Sequence, residues 1–275
     1  MATVSPGDAS PRSYIAQYID DTIAYVGEVT LFAGQVLRGV VRRAGRETML
    51  PIFYSIGFNS IPVVALTGLF IGMVLAVQSY SQFNAMGMAT RLGSIINISL
   101  VRELGPVFAA TMLAGRVGSA LAAELATMKI TEQVDALACL GVNPLHHLAS
   151  PRFLACVLLI PLLTIMANFM GVIGGAFICT QVYGVESSHY WQNAQGHIGL
   201  YDLITGLIKP TFFGAAISIA SCHCGLTSQA GAEGVGRAAT RAFVQSFIAI
   251  LVIDFFLAML LNQLYVMLYS PQGFM

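Results

Sequence analysis

Four ionisable side chains stand inside otherwise apolar stretches of this 275-residue sequence: Arg102, Glu103, Lys209 and Asp254. A charge at the centre of a bilayer costs about 2.5–3.5 kcal/mol on insertion scales, so each must be paired or face water. The four sum to zero charge. Three kinds of chemistry fit such a set: a cavity that holds a charged substrate group, a buried ion network that only locks the helices, or a proton relay. Arg102 and Glu103 are neighbours, and neighbours on a helix point about 100 degrees apart, so each must look to another helix for its partner. Proline sharpens the pattern. Pro106 lacks the N–H that would bond the Arg102 carbonyl, and Pro210, next to Lys209, does the same to Gly206. Both charged segments are therefore expected to bend or open beside their charges, as helices do where they line a cavity.

A second set lies in the stretch ELATMKITEQVDAL, residues 124–137, where Glu124, Lys129, Glu132 and Asp135 crowd together directly after a long apolar run. As one helix, this stretch places Ala126, Ile130, Val134 and Leu137 on one face and Glu124, Glu132 and Asp135 on another. Thr131 followed by Glu132 also allows a second short helix, giving two helices joined near Lys129. Either form is an amphipathic segment with an acidic side.

The elements that position these residues follow from composition. The chain is 56% hydrophobic and 9% charged, with mean hydropathy +0.76, whereas about a quarter of the residues in soluble domains carry charge. It reads as an integral membrane protein. With 13 basic and 13 acidic residues, it has no net field to attract nucleic acid. A bilayer needs about 20 apolar residues per helical span. Five spans fit the gaps between charges: about Ile56 to Val77, Ser94 to Leu113, Phe153 to Val182, Tyr201 to Ser221 and Ala242 to Leu268. The first and third gaps also have room for a re-entrant turn. Basic residues collect on cytoplasmic flanks. With the N-terminus inside, the inner segments hold Arg12, Arg38, Arg42, Arg43, Arg46, Arg116, Lys129, Arg152, Arg237 and Arg241, and the outer ones only Arg91. Residues 115–152 are then expected in the cytoplasm and the C-terminus outside. The first 14 residues lack an apolar core behind a basic start, so no cleavable signal peptide is expected.

Ahead of the first span, Ile15, Ile19, Thr22, Val26, Val29, Ala33, Val36 and Val40 recur in steps of four and three. With the closing arginine cluster they suit a helix on the inner membrane surface, although the spacing also fits a helix packed on a partner. Gly68 and Gly72 form a GxxxG pair, and Gly171, Gly174 and Gly175 mark the third span. Such faces let helices approach closely, within one chain or across a dimer. The other candidates carry less. Cys139, Cys156, Cys179, Cys222 and Cys224 scatter through spans and inner loops, where disulfides are not expected. Cys222, His223 and Cys224 are consecutive and lack zinc spacing, so no metal site is assigned. His146 and His147 read as interfacial, Tyr190 and Trp191 as aromatic-belt residues of an outer loop. No Ser/His/Asp arrangement stands out. Neither lysine, Lys129 or Lys209, lies in a phosphate-cradling Walker A loop, so any ATP hydrolysis is expected on another polypeptide and the chain is not expected to be an enzyme by itself.

The run VRELGPVFAATMLAGRVGSALAAELATMKITEQVDALACLGVNPLHHLASPRF, residues 101–153, resembles the signature region of the MlaE-type permeases, membrane subunits of ABC transporters that work with MCE proteins. The likeness extends to GLFIGMVLAVQ, to LIKPTFFGAAIS around Lys209, to GAEGVGRAATRAFV at residues 231–244 and to the last span with Asp254. CHCG at residues 222–225 departs from it at a loop edge. The resemblance implies an all-α integral membrane protein: a flexible stretch at 1–13, an interfacial amphipathic helix at 14–47, and a permease domain at 48–275 of about five spans. Its coupling segment, 116–150, would lie between spans two and three. It further implies a homodimer in the inner membrane that moves phospholipids between inner and outer membranes. The expected partners are a separate ATPase subunit, which carries the ATP and Mg, and an MCE-family periplasmic lipid-binding protein. On this reading Arg102 and Lys209 contact a lipid phosphate with Glu103 and Asp254 holding them, while Glu124, Lys129, Glu132 and Asp135 grip the ATPase. The rival class is an ion- or proton-coupled carrier that uses the buried charges directly. An inverted internal repeat would favour that carrier, and none is evident.

Overall fold

Lipid offers no partner to a backbone N–H or C=O, so an apolar run must close its hydrogen bonds within itself as a helix. The computed structural model describes residues 11–40, 46–85, 92–197 and 199–269, and among these it contains helices and turns but no strand. Its elements are α1 (Pro11–Val40), α2 (Arg46–Ile56), α3 (Ile61–Ala85), α4 (Leu92–Ser99), α5 (Gly105–Leu113), α6 (Ser119–Ile130), α7 (Gln133–Cys139), α8 (Ser150–Phe177), α9 (Ser187–His197), α10 (Leu200–Leu226) and α11 (Ala232–Tyr269). Wide π-type turns at Leu100–Leu104 and Ala114–Gly118 join α4, α5 and α6 into one run. Five of the resulting helical segments are long and apolar enough to cross a membrane: Met49–Phe83, Gly93–Ile130, Leu145–Val182, Tyr201–Leu226 and Ala232–Met267.

The number of spans is as expected, but the helices overrun their apolar cores. The second continues to Ile130 instead of ending near Leu113, and the fifth begins ten residues before Ala242. Hydropathy marks the part of a helix that needs lipid, while the helix itself ends where capping or packing ends it. In the first segment a short 3₁₀ turn, Phe58–Ser60, separates α2 from α3. Arg42, Arg43 and Arg91 lie outside the described residues.

The closest helix pair is α3 on α8. A Cβ added at Gly68 would strike the Ala167 backbone, one at Gly72 the Gly171 carbonyl, and one at Gly174 the Leu69 carbonyl. The GxxxG face is thus used within the chain, where small residues let two backbones meet. Three apolar clusters stack along the bundle. The central one includes Val64, Leu113, Ile160, Phe213, Ile217 and Ile250. One end is filled by Ala76, Ile96, Ala176, Cys179 and Tyr190, the other by Val36, Leu125, Leu148, Phe153 and Cys222. Tyr190 is therefore a core residue of α9, fully buried with its hydroxyl donating to Asn97 at 3.5 Å, and not the belt residue expected; Trp191 beside it is exposed. Along α1, Val36 is buried against α8 and Ser150 Oγ donates to the Val36 carbonyl, whereas Ile23, Val26, Leu31 and Leu37 stay uncovered.

Candidate functional site

The four intramembrane charges converge with a fifth. Lys209 of α10 is fully buried one turn before Phe213 of the central cluster, and its ammonium donates to Glu103. Asp254 Oδ1 of α11 lies 3.1 Å from the same nitrogen, an ion pair without hydrogen-bond geometry. The wide turn at Leu100–Leu104 makes this reach possible. Pro106 cannot bond the Arg102 carbonyl, and the Gly105 N–H instead closes a longer ring to the Leu100 carbonyl. The expected opening thus occurs beside Arg102 and Glu103, while α10 continues as an α-helix through the buried Pro210.

Arg102 turns the other way. Its Nη1 is 3.9 Å from Asp202 Oδ1, its Nη2 donates to Asn262 Oδ1 at 3.5 Å, and its guanidinium lies 6.0 and 5.5 Å from the ring centres of Tyr201 and Tyr265. Asp202 is held in turn by the Gly199 N–H at 3.0 Å, and the Tyr201 hydroxyl donates to the Leu261 carbonyl. Both neighbours therefore find partners on other helices, as their angular separation requires. Asp202, Asn262, Tyr201 and Tyr265 lie inside the expected fourth and fifth spans, toward one end of each, and join the site although the sequence pattern singled out only the four mid-span charges. Spacing carried the signal: Asp202 precedes Lys209 by seven residues and Asn262 follows Asp254 by eight. Each is two turns along its own helix, on the same face, in antiparallel neighbours.

The result is a two-layer site. The inner layer, Glu103–Lys209–Asp254, is an enclosed cation between two carboxylates. Arg102 forms the outer layer and remains 24% exposed on its side chain; Glu103, 42% exposed, spans the two layers, so water or a ligand can reach both, while Lys209 is reached through its carboxylates alone. With Asp202 included, the five charges sum to −1. All five are held in ion pairs, and the chemistry this arrangement suits is electrostatic: binding, orienting and releasing a charged group.

The residues of the 116–150 segment are not brought together in the same way. Glu124 and Lys129 belong to α6, which continues the second span and packs on α10 and α11. Glu124 Oε1 pairs with the buried Arg152 at 3.2 Å, and Arg152 Nη1 donates to the Leu148 carbonyl at 2.8 Å. Lys129 Nζ donates to the Ser228 carbonyl at 3.1 Å, tying α6 to the α10–α11 connection. Glu132 breaks the helix with φ +60°, and the exposed Asp135 lies in the first turn of α7, which has no buried residue. The single-helix form is thus replaced by two helices, because a left-handed Glu132 turns the chain after Thr131. Val134 and Leu137 still face inward, onto the cluster around Leu125 and Phe153. Gly141, with φ +75°, ends α7 in the left-handed region that glycine adopts freely.

Among the described residues no group of His, Cys, Asp and Glu has the arrangement of a metal site. Cys222 is buried and hydrophobically packed, and His223 sits edge-on to Tyr25 and Phe32.

Comparison with known proteins matches residues 49–260 to the family described as Permease MlaE. A probable ABC transporter permease protein of Rickettsia typhi is 45% identical over 206 residues, 75% of this chain and 80% of the relative. The intermembrane phospholipid transport system permease protein MlaE of Haemophilus influenzae is 38% identical over 203 residues, 74% of this chain and 78% of the relative. The chloroplastic protein TRIGALACTOSYLDIACYLGLYCEROL 1 of Arabidopsis thaliana is 35% identical over 249 residues, 90% of this chain and 69% of the relative.

Proposed function

The chain belongs to the MlaE permease family, and from that premise we propose that it is the membrane subunit of an ABC transporter that moves phospholipid between the inner and outer membranes. The observation that carries the reading is the two-layer ion site, in which a partly exposed arginine stands beside an enclosed Lys209 held between Glu103 and Asp254 inside an apolar bundle. A phospholipid has the matching chemistry: an anionic phosphate for Arg102 and apolar chains for the uncovered surfaces of α8 and α10, where a groove of about 380 Å³ is lined by Ile165, Phe169, Val172, Leu203 and Leu207. Guanidinium suits phosphate because its planar fork presents two parallel donors. Lys209 acts through its carboxylates, becoming available to the phosphate when Glu103 swings away. The name of the H. influenzae relative supports phospholipid as the cargo.

Work on such a lipid is driven by a separate ATPase subunit carrying ATP and Mg²⁺, which docks on the 131–149 connection at the cytoplasmic face. Exposed Glu132 and Asp135 are its contacts, while Glu124 and Lys129 hold α6 to the bundle and transmit the motion. An MCE-family lipid-binding protein receives or delivers lipid on the periplasmic side. A second copy of the chain completes the cavity; the apolar side chains that α11 leaves uncovered, Phe255, Phe256, Met259 and Leu260, supply surface for it. The N-terminus is cytoplasmic and the C-terminus periplasmic.

The test is reconstitution of the chain with its ATPase in liposomes and measurement of fluorescent phospholipid transfer. ATP-dependent transfer that falls at least tenfold in Arg102→Ala supports the reading. Transfer that follows a proton gradient and ignores ATP supports the carrier instead.

A further inference from the structure

On the side of the bundle that carries the 131–149 connection, away from the ion site, α1, the end of α10 and the start of α11 enclose a cavity of about 60 Å³. A water needs roughly 10–15 Å³ by this measure, so the space suits a cluster of a few waters or one tetrahedral oxyanion. Its polar lining consists largely of groups able to donate. His223 is more than nine-tenths buried, its ring fixed edge-on by Tyr25 at 5.7 Å and Phe32 at 5.5 Å, and its Nδ1 has no hydrogen-bond partner. Ser228 Oγ is likewise buried without one. Arg237 and Arg241 line the same cavity one helical turn apart on α11. Arg237 is shared with the exposed Glu233, a pair that water screens heavily; Arg241 makes no ion pair with a described residue.

Buried polar atoms without partners, such as His223 Nδ1 and Ser228 Oγ, are costly, and the exposed Arg237 and Arg241 bring two positive charges to the mouth of the cavity. We infer that Tyr25, His223, Ser228, Arg237 and Arg241 form a binding site for a phosphate group, separate from the transport site. Several oxygens on one tetrahedral centre meet donors from three elements at once, and the guanidinium fork favours phosphate over a single-atom anion. Burial, reinforced by Cys224 and Glu28, pushes the Tyr25 phenol up to about 12, so it remains a donor at neutral pH. Lys129 holds the Ser228 carbonyl from α6, so an occupant clamps α1, α11 and the α10–α11 connection to the helix that leads into α7. Two carboxylates oppose an anion here: Glu233, paired with Arg237, and Glu28 of α1, near enough to act on Tyr25. Removal of Glu28 is expected to tighten the site.

Such a group comes either from an anionic lipid headgroup or from a soluble phosphate. The test uses the full chain in phosphatidylcholine nanodiscs, followed by thermal unfolding, without ATPase or transport, so its outcome is independent of the cargo. One arm titrates inorganic phosphate against sodium chloride of equal ionic strength. The other replaces one fifth of the lipid with phosphatidic acid in phosphate-free buffer. A rise of roughly 3–6 °C at tenfold excess over the dissociation constant is expected, absent in Arg241→Gln and reached at several-fold lower concentration in Glu28→Gln. A rise with phosphate alone assigns the site to a soluble ligand, a rise with phosphatidic acid alone to a headgroup, and both arms together to the shared group. No rise in either arm overturns the site, as does an equal rise in Arg241→Gln.

Discussion

Lys209 and Glu132 are both charged side chains in a chain that has few, and they occupy opposite extremes of it. Lys209 has no exposed surface and two carboxylates around it; Glu132 is exposed, left-handed in its backbone and free of any ion pair with a described residue. Around the first, every group is fixed by a partner on another helix. Around the second, α7 contributes no buried residue and is joined to α6 by a strained turn. The contrast separates a region that must hold charge in lipid, where each partner is required, from one that can rearrange or be covered by another chain at small cost.

The strongest way to break that contrast is to remove the enclosed cation. Lys209→Met leaves Glu103 and Asp254 facing each other, and loss of about 3–5 kcal/mol of stability is expected from stranded charge. Thermal unfolding checks it, and adding Glu103→Gln with Asp254→Asn should recover most of the loss. A smaller effect falls on the pair that links the two regions. Glu124→Ala strands the buried Arg152 guanidinium and should cost about 1–3 kcal/mol, whereas Arg152→Met leaves only an exposed carboxylate and should cost less. Urea unfolding of the two variants gives the order. Equal losses would mean that the pair is a surface contact. Arg102→Ala should lower stability by under about 1 kcal/mol, since its ion pair is long and partly exposed, while reducing lipid transfer. Least of all, Glu132→Gly should leave stability unchanged or raise it by up to about 1 kcal/mol through relief of the left-handed turn. Hydrogen exchange across α7 reports it.

Much of the bundle was legible because lipid imposes one solution: the five apolar runs became five long helices, and the Gly68–Gly72 face met the glycines of α8. Pro106 pointed to the wide turn through its missing N–H, whereas the same deficit at Pro210 leaves α10 an α-helix, so proline marks where a helix can open and packing decides whether it does. What the sequence concealed lay at the helix ends. Asp202 and Asn262 fall inside the expected fourth and fifth spans without standing out, one at a span's first turn and the other uncharged, and the stretch from Glu124 reads as a helix apart from the second span because Glu124 and Lys129 end the apolar run. That stretch begins instead as a continuation of the span, because backbone hydrogen bonding and packing on α10 and α11 carry α6 past the point where apolar composition stops. The turn at Glu132 was visible only as an alternative, since a glutamate with positive φ has no local signature. Tyr190 was misread because an aromatic residue near a span end suits a membrane belt and a small core equally, and only packing against Ile96 and Cys179 decides between them.

If the ion site handles lipid, the exposed connection around Glu132 and Asp135 must be the grip for the ATPase that drives it. Affinity purification from gently solubilised membranes, comparing the intact chain with Glu132→Ala/Asp135→Ala, tests this directly. Both substitutions lie on exposed positions and should change stability by no more than about 0.5 kcal/mol. The account predicts that an ATPase subunit accompanies the intact chain and is lost from the folded variant. An intact chain that brings down no ATPase, or a variant that retains it in full, contradicts the account.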